Sequence, residues 1–111
     1  MPKITTADCD RHDRTLKRSL GRMEARWERL HRELAELDAA RRRARAALVR
    51  NRGRGGRLLS DRGRASLVAR LEHAIMRSTI VIGETSRLHR DLGLTRDERR
   101  TNAGRRAEAA R

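Results

Sequence analysis

Hydrophobic residues in the first third of the chain recur at alternating steps of four and three. The positions are Leu16, Leu20, Met23, Trp27, Leu30, Leu34 and Leu37. This spacing is the a/d pattern of a heptad repeat, which places all seven side chains on one face of a long α-helix. We predict that this first helix begins near residue 7, after a capping box formed by Thr5 and Asp8, and runs to about residue 49.

A second helical pattern follows a glycine-rich turn. Gly53, Gly55 and Gly56 end the first helix, and Ser60 or Asp61 can cap the next one. Gly93 is predicted to end this second helix, and Thr95 with Glu98 can cap a short third one. The apolar stripe predicted for the second helix is Leu67, Leu71, Ala74, Ile75, Ser78, Ile82, Thr85, Leu88 and Leu92.

The second helix also has a weaker apolar strip on its opposite side. Ala69, Met76, Ile80 and Gly83 lie there at 100° per residue. Because a helix that is apolar on two sides has two neighbours, we expect one neighbour to be the first helix and the other to be another subunit. The residues predicted for the oligomer interface are Trp27, Leu30, Leu34, Met76 and Ile80.

Together these patterns predict an all-α fold. It is a long antiparallel helical hairpin, similar to a coiled coil, that assembles into an oligomer expected to be a ring. Residues 1–6 form a flexible N-terminus, 7–94 form the hairpin with a basic turn at 50–60, and 95–111 form a flexible basic tail. The chain contains no Phe or Tyr and only one Trp, so two helices alone bury little apolar surface.

Positive charge is concentrated in the middle of the chain. The formal net charge is +14, and residues 39–66 contain ten Arg against the single acidic residue Asp61. A block of this density favours a polyanion as partner, most commonly nucleic acid. A solvated basic loop with no ligand is the alternative. The residues predicted to bind nucleic acid are Arg41, Arg42, Arg43, Arg45, Arg50, Arg52, Arg54 and Arg57.

Other candidate chemistry is sparse. Cys9 and His12 have the spacing of a partial zinc site, but zinc needs more ligands and the chain has no second cysteine. The glycines at 53–56 lack the lysine and the preceding strand of a nucleotide-binding loop. No nucleophile–base pair stands out. We therefore expect no enzyme activity, no metal and no cofactor. No apolar run reaches the roughly 20 residues of a membrane span, so we expect no membrane association.

The segment Leu92-Gly93-Leu94-Thr95, followed by Arg99 and Arg100, resembles the C-terminal part of small terminase subunits of tailed phages. In that family a helical hairpin precedes a similar segment, although Arg96 stands where the family usually has proline. The chain also has no room for the separate N-terminal DNA-binding domain of many members. The resemblance implies a ring-forming, non-enzymatic protein that presents viral DNA to the large terminase ATPase.

These observations lead to one function hypothesis and two alternatives. The first is an adaptor in viral or virus-like DNA packaging, located in the cytoplasm of a bacterial host cell. It would bind double-stranded DNA through the arginines and dock the large terminase through Thr95, Arg96, Arg99 and Arg100. The alternatives are a general nucleic-acid-binding coiled coil of nucleoid or RNA-binding type, and a structural scaffolding protein.

Overall fold

The computed structural model describes residues 3–111, which form two long α-helices and no strand. Helix α1 spans Thr6–Arg50 and helix α2 spans Asp61–Ala109, with a single 3-10 turn at Arg54–Gly56 between them. The predicted all-α hairpin is confirmed at this level. Contacts divide the chain into two units, Met1–Glu28 with Ser86–Arg111 (unit 1) and Arg29–Thr85 (unit 2).

In unit 1, the beginning of α1 packs against the end of α2 in antiparallel orientation. Cys9 contacts Asn102, Asp13 contacts Arg99, and Trp27 lies against His89 with ring centroids 5.8 Å apart. The buried apolar residues here are Cys9, Leu20, Leu88 and Leu92. The predicted capping box is present, because Thr5 Oγ1 accepts a hydrogen bond from Asp8 N and Asp8 Oδ2 accepts one from Thr5 N.

In unit 2, the rest of α1 packs against the first half of α2. The buried apolar residues are Leu30, Ala44, Ala74 and Val81, the last with no exposed surface. Glu33 and Arg77 join the two helices through a bidentate ion pair, with Nε–Oε1 and Nη2–Oε2 distances of 2.6 and 3.3 Å. The unit therefore has a narrow apolar seam that is supported by a charged contact.

The turn of unit 2 is built from its own backbone. Gly53 N donates to Arg57 O over 2.8 Å, and Leu59 N donates to Asn51 O over 3.0 Å. Gly55 and Gly56 both have φ of 74°, in the left-handed region that glycine adopts without steric cost. Ser60 is the N-cap of α2, since its Oγ accepts a hydrogen bond from Gly63 N over 3.0 Å.

Two predictions about α2 are wrong. The helix does not end at Gly93 but continues to Ala109, and no separate third helix forms within residues 3–111. The seam residues of α2 explain this, since Leu92 is followed at helical spacing by Thr95, Arg99 and Asn102, all at least partly buried. Their contacts with α1 offset the cost of placing Gly93 inside a helix, which is about 1 kcal/mol. The predicted tail at 95–111 is thus helical as far as Ala109, and its contacts with α1 extend to Arg106, although most of its side chains are exposed.

The assignment of the α2 stripe needs a second correction. The predicted stripe facing α1 includes Ile75 and Ile82, but these residues are 47% and 56% exposed. The buried residue is Val81, at steps of three and four from Ser78 and Thr85. The seam therefore follows a regular heptad through small and polar residues, and the bulkier isoleucines point elsewhere.

Candidate nucleic-acid interface

Unit 2 has an open groove of about 1300 Å³ beside the interhelical turn. Residues from both helices and from the turn line it. The basic lining residues are Arg42, Arg43, Arg50, Arg52, Arg54, Arg70 and His73, and no Asp or Glu lines it. Most other lining residues are alanines and leucines, whose short or apolar side chains leave the groove open between the cations. We call this surface the basic groove.

Five of the eight predicted nucleic-acid-binding residues lie in the basic groove: Arg42, Arg43, Arg50, Arg52 and Arg54. Arg41, Arg45 and Arg57 are exposed but do not line it. The cluster inferred from charge density is thus divided by the structure, since consecutive residues of a helix point in different directions.

Sequence reasoning missed Arg70 and His73, which line the groove from α2, and of the two Arg70 adds a guanidinium charge. The signal was available in the hairpin itself. Antiparallel pairing about a turn near residue 55 brings the beginning of α2 beside the end of α1. Arg70 and His73, three residues apart, are neighbours on one side of the helix.

Three local contacts hold arginines in place near the groove. Asp38 forms ion pairs with both Arg41 and Arg42, each over 3.1 Å. Arg52 donates from Nη1 to the carbonyl oxygen of Gly56 over 2.8 Å, which ties its side chain to the turn. The Arg42 side chain is still 79% exposed. One carboxylate therefore relieves part of the repulsion and leaves the groove strongly cationic.

The five residues predicted for an oligomer interface fall into two groups. Trp27, Leu30 and Leu34 are buried or half-buried within their own chain, Leu30 being only 5% exposed. The seam that they belong to packs against α2 of the same chain. Met76 and Ile80, in contrast, are 65% and 46% exposed.

The four residues predicted to dock a partner all have contacts inside unit 1. Arg99 is half-buried and forms a bidentate ion pair with Asp13, with distances of 2.9 and 3.4 Å. The hydroxyl of Thr95 donates a hydrogen bond to the backbone carbonyl oxygen of Asp91 over 2.8 Å. Arg96 lies 3.7 Å from Glu24, and Arg100 lies 3.1 Å from Asp97. Arg99 thus joins α2 to α1, and Thr95 bonds to the backbone of α2. Arg96 and Arg100 keep mostly exposed side chains.

The interhelical ion pairs also change proton affinities. Hydrogen bonds from Arg99 lower the pKa of Asp13, and hydrogen bonds from Arg77 lower the pKa of Glu33. The same contacts raise the pKa values of the two arginines. Arg106 behaves likewise, since its hydrogen bond to Asp10 raises its pKa. The charged forms are therefore favoured in both units.

Two other kinds of feature are absent from residues 3–111, a metal centre and a membrane-spanning helix. Among residues 3–111, no group of three or more His, Cys, Asp or Glu side chains is arranged to hold a metal ion. None of the helices in that range is both long and apolar enough to cross a membrane. No protein-family model, curated protein or solved structure matches this chain. The basic groove therefore stands as the candidate site on its geometry and charge.

Proposed function

We propose that this protein is a non-enzymatic adaptor that binds double-stranded DNA through the basic groove. The observation that carries the proposal is the convergence of six arginines and one histidine, from both helices and the turn, on one groove without a lining carboxylate. Such an arrangement suits a partner with closely spaced negative charges, and the phosphate backbone of DNA is one.

The groove supports contact with phosphates more than reading of bases. Guanidinium groups donate bidentate hydrogen bonds to phosphate oxygens, and contacts of this kind position a protein without selecting sequence. No Phe, Tyr or Trp lines the groove, so it lacks the large stacking platforms typical of single-strand binders. Duplex DNA held by charge neutralisation is the binding mode that these residues favour.

The packaging role is the more specific part of the proposal. It comes from the resemblance to small terminase subunits. The subunits would form a ring that presents several grooves to DNA, and a large terminase would be the partner. Several linked grooves would raise the apparent affinity through effective concentration. Since α2 runs through Gly93, the Leu92–Thr95 match lies inside a helix, and docking would fall to the exposed Arg96 and Arg100.

Fluorescence anisotropy with a labelled DNA duplex, measured from low to high salt, tests the proposal. The wild-type chain is expected to show a steep dependence of log K on log salt, about −0.9 per phosphate neutralised. Replacement of Arg42, Arg43, Arg50 and Arg54 by Gln should weaken binding and flatten this slope.

The control variant replaces Arg14, Arg18, Arg22 and Arg90 by Gln, which removes the same charge from exposed positions of unit 1. It should retain most of the affinity and the slope. Equal losses in the two variants would mean that net charge alone drives binding. Preference for an RNA duplex over DNA in competition would favour the alternative of a general nucleic-acid-binding protein.

A further inference from the structure

One side chain in the basic groove has a charge that depends on pH. His73 lines the groove from α2, and none of the other three histidines of the chain lines it. Imidazoles change charge between about pH 5 and pH 8, whereas guanidinium groups stay charged throughout that range. The charge of the groove can therefore vary by one unit, and the variation resides in a single residue.

Every other charged side chain that lines the groove is an arginine. These residues come from α1 (Arg42, Arg43 and Arg50), from the turn (Arg52 and Arg54) and from α2 (Arg70). Arg70 precedes His73 by three residues, so the two side chains are neighbours on α2, with about 5–6 Å between their Cβ atoms. A single phosphate group can therefore contact the guanidinium of Arg70 and the imidazole of His73 together.

No carboxylate in the groove provides His73 with a counter-charge. The contact of Glu33 with Arg77 in the antiparallel helix pair places residues 36–38 of α1 at the level of His73. The acidic residues near this level are Glu33, Glu36, Asp38 and Glu72, and none of them lines the groove. Glu33 and Asp38 already bind arginines. An anion that enters the groove is therefore the group positioned to pair with a charged imidazole.

The surroundings of His73 also leave its ring accessible. The residue is exposed, and within residues 3–111 no hydrogen bond or ion pair engages the imidazole. Two histidines of unit 1 differ in this respect, since His12 lies 3.2 Å from Glu98 and the ring of His89 lies against Trp27. His73 is therefore open to a ligand that occupies the groove.

We propose that His73 is a phosphate contact that takes up a proton from solvent when DNA occupies the basic groove. The inference rests on the proposed function, because DNA supplies the phosphate. A phosphate beside the imidazole favours the charged form of the ring, and the charged ring donates a stronger hydrogen bond to the phosphate. Since coupling between two binding events is reciprocal, a lower pH strengthens DNA binding as much as DNA binding promotes proton uptake.

The proposal has two measurable consequences for DNA binding. An opposite charge in contact with a titrating group changes its proton affinity by about tenfold or more, so we expect the affinity for DNA to rise about fivefold from pH 8 to pH 6. The charged imidazole also neutralises one further phosphate. The slope of log K against log salt should therefore be steeper by about 0.9 at the lower pH.

Fluorescence anisotropy with one labelled duplex, at pH 8 and pH 6 and over a range of salt, tests the inference, and circular dichroism checks the fold of each variant. His73→Gln stays neutral and should bind at pH 6 as weakly as the wild type binds at pH 8. His73→Lys is charged at both pH values and should bind at pH 8 as tightly as the wild type binds at pH 6, a gain that a merely structural role does not produce. The control His31→Gln removes an exposed histidine of unit 2 outside the groove and should keep the wild-type pH dependence.

The outcomes separate this inference from the proposed function. DNA binding by the wild type that does not change with pH, or a pH dependence that persists in His73→Gln, would overturn the inference and leave DNA binding by the arginines intact. Equal loss of the pH dependence in His73→Gln and His31→Gln would also overturn it, because the effect would not belong to the groove. Absence of DNA binding at both pH values would remove the proposed function, and this inference with it.

Discussion

Asn102 donates a hydrogen bond from Nδ2 to the backbone carbonyl oxygen of Cys9 over 2.8 Å, and both residues are buried. Within residues 3–111, Asn102 is the only polar residue that is buried. A single polar residue in the seam of paired helices fixes their register, because a shifted register would leave its amide without a partner. This bond therefore sets the alignment of α1 and α2 in unit 1.

Replacement of Asn102 by Ala should lower the free energy of unfolding by about 1–2 kcal/mol, since it removes a buried hydrogen bond and leaves a small void. Chemical denaturation followed by circular dichroism measures the change. The neighbouring exposed residue Thr101, changed to Ala, should shift stability by less than about 0.5 kcal/mol. Equal effects at the two positions would show that the bond to Cys9 contributes nothing specific.

The effect of Gly93→Ala on stability has opposite signs for a continuous helix and for a helix that ends at Gly93. Inside a continuous α2, with open space around its Cβ position, Gly93→Ala should stabilise the protein by roughly 0.5–1 kcal/mol. If Gly93 instead ended the helix in left-handed geometry, as its sequence context suggested, the same change would destabilise it. Gly55→Ala is the matched control, because Gly55 has φ of 74° and alanine there is strained.

The stability of the fold should depend on pH through the interhelical ion pairs. Hydrogen bonds from Arg99 and Arg77 lower the pKa values of Asp13 and Glu33 in the folded state below the ordinary values of 3.8 and 4.5. Their contribution to stability is thus fully present above those values and is lost as the pH falls through the lower folded pKa values. Thermal unfolding between pH 7 and pH 2 should show this loss, and Asp13→Asn should reduce it.

The sequence predicted much of this fold because the heptad spacing of α1 is carried by large residues. Leu20 and Leu30 are buried as expected, and the glycine turn lies where its composition indicated. The α2 seam was harder to identify, since Ser78, Thr85 and Thr95 occupy seam positions without hydrophobic side chains. Hydrophobicity alone therefore favoured the larger Ile75 and Ile82 over the buried Val81.

The end of α2 was missed for a related reason. Residues 96–101 have no apolar face, so an isolated helix there would be unstable in water. In the structure this part of α2 is held by charge, through Arg99 on Asp13 within the segment and Arg106 on Asp10 beyond it, over 2.9 and 2.6 Å. These pairs join residues more than eighty positions apart, which a local pattern does not reveal. For the candidate site, charge density identified the arginines of α1 and the turn, but only the helix pairing brings Arg70 and His73 to the groove.

Removal of residues 96–111 should therefore disrupt unit 1 rather than detach a free tail. The deletion takes away Asn102, Arg99 and Arg106, which hold the beginning of α1, and it uncovers Cys9, now 2% exposed. We expect the Cys9 thiol to react with a disulfide reagent at least tenfold faster in the truncated chain, because burial limits its access in the full one. Arg100→Ala, which changes an exposed residue of the same segment, should leave the thiol protected. DNA binding should persist in the truncated chain, since every residue of the basic groove lies in unit 2. A truncated chain whose Cys9 stays protected would show that the C-terminal contacts do not hold unit 1 together.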